Sequence, residues 1–159
     1  MEIKVFTTHQ NDFDIKLDHT NDLFCNDDDY DDPDFPYCDI SGTEKIVIIV
    51  AIDGRNIAGG IQLAHHENGW SSYDVDDNDK PKWSMVGIGV NEEYRNHGVA
   101  RQLIEKQFEV MPELGIDYIS QSSYTKNGAE YLYHVYEEYI AKTPHIRYIN
   151  TKKLYDSLD

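Results

Sequence analysis

The chain has 159 residues and a formal net charge of −16, and no stretch in it approaches the roughly 20 consecutive apolar residues that a membrane-crossing helix requires. That length accommodates one sizeable core without a second domain, so residues 1–159 are read as a single unit. So dense a negative field repels nucleic acid and anionic membranes, and it favours cations, amines and basic proteins as partners.

In chain order, residues 2–8 (EIKVFTT) alternate as a first strand. The opening MEIKVFTTHQ lacks the apolar core of a signal peptide, so the expectation is an unexported, cytoplasmic protein. Over residues 1–44, thirteen acids stand against Lys4 and Lys16, and most of the excess charge lies there. Within this acidic, irregular segment of about residues 11–40, helical patterning is weak around Ile15 to Phe24, and Asn26 to Asp34 reads as a loop. Cys25 and Cys38 have neither the spacing nor the neighbours of a metal site and are expected as free thiols.

Lys45 to Ile52 (KIVIIVAI) is a nearly continuous apolar strand. Asp53-Gly54-Arg55-Asn56 is a hairpin turn signal, and Ile57 to His65 is the returning strand. A polar insertion spans Glu67 to Lys82. Its Asp74-Val75-Asp76-Asp77-Asn78-Asp79 begins like a calcium loop but lacks the glycine at the sixth position and the closing glutamate. His19, His97, His134 and His145 show no ligand spacing either, and no metal is expected. A strand from Trp83 to Asn91, a helix opening near Gly98, a second strand and helix over Asp117 to Ser122 and Asn127 to Lys142, and a last strand over His145 to Asn150 complete the order.

The run from Val86 to Met111 holds the strongest functional signal. Met85, Val86, Ile88 and Val90 are strand formers, whereas Val99, Leu103, Ile104 and Phe108 recur at helical spacing, so the period changes across Arg95 to Gly98. A helix start offers unpaired N–H groups and a partial positive charge, and Gly98 lets an anion approach the main chain. Arg95 and Arg101 supply cationic side chains beside it. The dinucleotide fingerprint G-x-G-x-x-G is incomplete after Gly87-Ile88-Gly89, and no P-loop string occurs.

Arg95-Asn96-His97-Gly98-Val99-Ala100, with Val90 five positions upstream of Arg95, resembles the R/Q-x-x-G-x-G/A signature of the GCN5-related N-acetyltransferases, and the likeness is strongest over residues 45–142. The resemblance implies an α/β (α+β) fold with a mixed, mostly antiparallel central sheet flanked by helices. It implies acetyl-CoA as cofactor, its pantetheine arm paired along Ile88 and Val90 and its pyrophosphate held at Arg95, Asn96, His97, Gly98, Val99, Ala100 and Arg101.

It further implies a bulge in the central strand, which Gly87 or Gly89 would permit. The bland reading of those glycines is close packing against a helix. It places a proton-donating tyrosine on the last helix, with Tyr133 first and Tyr131 second. The choices for a base are loose: His65, His66 and Glu67 end a strand bordering the acceptor site, and His66 or Glu67 could relay a proton through water.

Two functions are therefore in view. One is an acetyl-CoA-dependent N-acetyltransferase acting on a primary amine of a cationic acceptor, such as a polyamine, a small amine or a basic protein's lysine or N-terminus. The other is a non-catalytic acidic protein on the same fold that imitates nucleic acid and inhibits a DNA-binding partner. The sequence leaves a homodimer open in either case.

Overall fold

A computed structural model describes residues 1–8, 43–54, 56–70, 76–121 and 126–149. The acidic segment of residues 11–40, with Cys25 and Cys38, lies outside the described residues, as do Asp74 and Val75 of the calcium-like string.

The elements follow the expected order: β1 (Glu2–Thr8), β2 (Thr43–Asp53), β3 (Asn56–His66), β4 (Trp83–Val90), α1 (Val99–Val110), β5 (Tyr118–Gln121), α2 (Lys126–Lys142) and β6 (Arg147–Ile149). The last strand starts two residues later than the expected His145. Thr143-Pro144-His145-Ile146 closes as a turn, with the Ile146 N–H bonded to the Thr143 carbonyl at 3.0 Å, because Pro144 presets the turn backbone.

The strands form one six-stranded sheet in sequence order. β1 to β4 pair antiparallel, and β4–β5 and β5–β6 pair parallel, as the mixed sheet requires. The continuous apolar run of β2 is explained by burial on both faces. Val47, Ile49 and Ala51 face the core under the helices with Leu63, Met85, Leu103, Ile104 and Phe108. Ile46, Ile48, Val50 and Ile52 form a second buried cluster with Ile57 and Phe6 on the opposite face.

Helix α1 buries Val99, Leu103, Ile104, Gln107 and Phe108. It crosses β3 at Gly59, where an added Cβ would lie 2.9 Å from the Gly89 carbonyl oxygen and 3.1 Å from the side chains of both Val99 and Leu103. Only a residue without a side chain lets the helix approach so closely, and this contact sets the start of α1 above the end of β4. α2 is tied to α1 through the core: the Tyr136 hydroxyl, fully buried, donates to Gln107 Oε1 at 2.8 Å. Because β5 and β6 are parallel, α2 must run antiparallel to both.

Candidate cofactor cleft

β4 and β5 part company in mid-strand. Their pairing covers Trp83 to Met85 against Ile119 to Gln121, and the half of β4 from Gly87 to Val90 has no β5 residue beside it among the described residues. At the parting point β4 carries a bulge. Gly87 opposes Gln62 and Met85 opposes Leu63, which leaves Val86 as the extra residue. Of the two glycines weighed for this distortion, Gly87 adjoins the bulge, and Gly89 instead meets the close approach at Gly59.

The turn after β4 is braced from three sides. The Asn91 side-chain amide donates to the Ile57 carbonyl and its backbone N–H to the Ala58 carbonyl, the latter at 2.9 Å. Both contacts clamp the strand end to β3. The Tyr94 hydroxyl donates to Asp53 Oδ2 at 2.9 Å, and this acceptor holds the phenol above its ordinary pKa range. Arg95 Nε donates to the Val90 carbonyl at 3.1 Å, closing the loop on itself.

Within that brace Asn96 and Gly98 adopt left-handed backbone, with φ of 65° and 78°. Alternation of this kind turns successive N–H groups toward one concavity, a geometry that suits anions. The first helical bond runs from the Gln102 N–H to the Gly98 carbonyl at 3.2 Å, so the amides of Val99, Ala100 and Arg101 open the helix without helical acceptors. A Cβ added at Gly98 would meet nothing within 4 Å, so the glycine faces open space.

These parts enclose a cleft of about 760 Å³ lined by Ile88, Gly89, Val90, Tyr94, Arg95, Asn96, Gly98, Val99, Ala100, Tyr131 and Leu132. Its size and its mixed wall of apolar side chains and main-chain donors suit an extended ligand with an anionic end. Acetyl-CoA meets both conditions: its pantetheine arm carries amides for the strand edge, and its pyrophosphate matches the amide concavity. Of the nine residues expected at this site, Ile88, Val90, Arg95, Asn96, Gly98, Val99 and Ala100 line the cleft. His97 is exposed on the same turn. Arg101 is directed elsewhere, its Nη1 at 2.7 Å from Glu138 Oε2 on α2.

The expected catalytic side chains are more dispersed. Tyr131 is on the cleft wall, whereas Tyr133 is half-buried with its ring edge-on to His134 at 5.7 Å and does not line the cleft. His66 and Glu67 lie beyond the Trp83 end of β4, because His65 pairs with Trp83. At about 3.3 Å per residue that is roughly 10 Å from the bulge and 23 Å from Val90. His66 Nδ1 accepts the Asn68 N–H at 3.2 Å, so a neutral imidazole carries its proton on Nε2 and presents a donor there. Glu67 is exposed. Asn91, Tyr94 and Gly59 were not singled out by sequence reasoning; the only local signals were the Asn91 at the strand end and the Gly59-Gly60 pair inside a strand pattern.

Among solved structures the chain is similar to an aminoglycoside antibiotic 6'-N-acetyltransferase from Acinetobacter haemolyticus, with 15% identity and a TM-score of 0.42 over 56% of this chain and 59% of that one. It is similar to an aminoglycoside acetyltransferase from an uncultured soil metagenomic sample, with 14% identity and a TM-score of 0.44 over 86% of each chain. It is also similar to a transcriptional regulator from Bacillus halodurans C-125, with 18% identity and a TM-score of 0.49 over 86% of this chain and 91% of that one. The chain spans under two thirds of the length of the first two structures it matches, 59% and 58%. No curated protein matches the sequence. The profile of the Acetyltransferase (GNAT) family matches residues 13–140, which include the split sheet, the braced turn and most of both helices. With that match over most of its length, the chain belongs to the GNAT acetyltransferase family, whose acetyl donor is acetyl-CoA.

Proposed function

We propose that the protein is an N-acetyltransferase that moves the acetyl group of acetyl-CoA to a primary amine on a cationic acceptor: a polyamine, another small amine, or a lysine or N-terminus of a basic protein. The observation that carries this reading is the register of the cleft. The cleft-lining part of β4, Ile88 to Val90, leads from the amide concavity at Asn96 to Ala100 toward the bulge. Acetyl-CoA supplies a thioester, and everything else required of the protein is orientation and proton handling.

In this reading Ile88 and Val90 hold the arm through their backbone, while Arg95 and the amides of Asn96 to Ala100, with His97 beside them, hold the phosphates. The main chain at Gly87, beside the bulge, is the proposed donor to a carbonyl oxygen as it gains charge. The amine must lose a proton and the departing sulfur must gain one. Tyr133 is the proposed donor to sulfur. α2 runs antiparallel to β5, which puts Tyr133 further from the phosphate end than Tyr131, on the way toward the bulge. Glu67, or His66 if its Nδ1 releases the Asn68 N–H, is the proposed acceptor of the amine proton through water. The exposed Glu67 is the better placed of the two, since His66 already accepts a bond at Nδ1.

The reading as a nucleic-acid mimic rests on the net charge of −16, most of whose excess lies in residues 1–44. Thiol release from acetyl-CoA in the presence of polyamines, small amines and basic peptides tests the proposal. Amine-dependent thiol release is expected, with kcat falling about 100-fold in Tyr133→Phe while the KM for acetyl-CoA holds. No amine-dependent release would refute the proposal, and an unchanged kcat would remove Tyr133 from it.

A further inference from the structure

The cleft lies between two helices that are not joined by chain at that end. Its floor is β4, one wall is the first turn of α1 at Val99 and Ala100, and the other is α2 at Tyr131 and Leu132. Arg101 follows directly after Ala100. Its guanidinium turns away from the cleft and spans to α2, with Nη1 at 2.7 Å from Glu138 Oε2. Glu138 is gripped from its own helix as well, by Lys142 Nζ at 3.6 Å from Oε1. Tyr131 and Glu138 are seven residues apart and share one face of α2. The bond to Glu138 raises the already high pKa of the guanidinium. In turn, Arg101 lowers the pKa of the Glu138 carboxyl.

We infer that Arg101 is a positioning residue, which ties the first turn of α1 to α2 through Glu138 and so sets the distance between the two walls of the cleft. This inference rests on the reading of the cleft as an acetyl-CoA site. It differs from the sequence expectation for Arg101, in which the side chain meets the phosphates itself. Because the pair is exposed, it contributes little to global stability; its effect falls on the separation of two walls that the ligand must touch together.

Calorimetric titration with CoA tests this, using the parent protein, Arg101→Glu and the double variant Arg101→Glu/Glu138→Arg, with melting temperatures measured alongside. The single variant opposes two carboxylates across the helices and is expected to bind CoA about tenfold more weakly. The double variant restores an ion pair of reversed direction and the parent's local net charge. Its affinity is expected within about threefold of the parent's, with all three melting temperatures within a few degrees. A double variant as weak as the single one would overturn the inference, because the guanidinium would then be needed at position 101 for the phosphates. Equal affinity in all three would overturn it too. Absence of CoA binding by the parent would overturn the reading of the cleft and this inference with it, whereas binding by the parent without rescue overturns the inference alone.

Discussion

Gly98 joins sequence and function at the scale of single residues. It holds φ at 78° and faces open space. A side chain there strains the backbone by about 1–2 kcal/mol and, in the proposed reading, also fills the place where a phosphate approaches the amides. Gly98→Val is therefore expected to lower the melting temperature by only a few degrees while weakening CoA binding at least tenfold, read by differential scanning fluorimetry and calorimetry. A variant that melts slightly early and binds normally would show that the main chain at residue 98 is not approached. This residue was legible in the sequence because a turn glycine between two different periods has a local cause. Tyr94 was not legible, since its partner, Asp53, stands 41 positions away and nothing local announces the pair. The choice between Tyr131 and Tyr133 was equally hidden: neighbouring tyrosines on an amphipathic helix differ in phase, and phase against a particular wall is set by tertiary packing.

Among the elements, Gly59 decides how close α1 comes to the sheet. A Cβ at Gly59 would press on a backbone carbonyl at 2.9 Å, which cannot rotate aside as a side chain could. Gly59→Val should cost about 1–3 kcal/mol of stability in urea unfolding and, unlike the change at Gly98, should weaken CoA binding by lifting α1 away from β4. A stability within about 0.5 kcal/mol of the parent's would contradict this packing.

The polar insertion is fastened to the far side of the sheet by a different device. Arg147 of β6 meets both Asp79 carboxylate oxygens, at 3.3 and 2.7 Å, and its guanidinium lies 3.9 Å from the centre of the Tyr118 ring. The bond to Arg147 holds the Asp79 carboxyl below its usual pKa of 3.8. A carboxylate depressed in the folded state adds stability above the unfolded pKa and loses it as pH falls through the folded value. Arg147→Leu should thus be less stable than the parent at neutral pH, and the gap should narrow on acidification below pH 3.8. A gap independent of pH would assign Arg147's contribution to its stacking on Tyr118 alone. Strand and helix positions were legible from period and turn residues, and every predicted element from residue 45 onward is present. The clasp at Asp79 was not, because the acid that matters in a run of acids is chosen by where β6 ends up.

For the molecule as a whole, charge and cleft pull in opposite directions. A net charge of −16 repels a polyanionic ligand and attracts a cationic one. In the proposed reading the cleft answers the first problem with main-chain amides and Arg95 in place of many cationic side chains, since Arg101 is engaged by Glu138. The second gives a prediction: raising ionic strength from about 0.02 to 0.2 M should raise the KM for a polyamine acceptor several-fold, as screening shortens the reach of the acidic surface. A KM insensitive to salt would indicate an acceptor recognised by shape or neutral hydrogen bonds. The order of the elements along the chain was legible from periodicity and turn residues, and the family from the resemblance of the Arg95 to Ala100 turn in its place after the strand. The acceptor was not, because the 11–40 segment combines few aliphatic residues with many like charges and gives no periodic signal to read.

The central claim is that the turn from Arg95 to Ala100 holds the phosphates of acetyl-CoA. Titration of 15N-labelled protein with CoA, followed through backbone amide shifts, tests it most directly. Saturable shifts that are largest at Asn96, Gly98, Val99 and Ala100 and extend along Ile88 to Val90 are predicted. A folded protein whose amides stay unmoved, or whose shifts centre on the Trp83 end of β4, would contradict the claim.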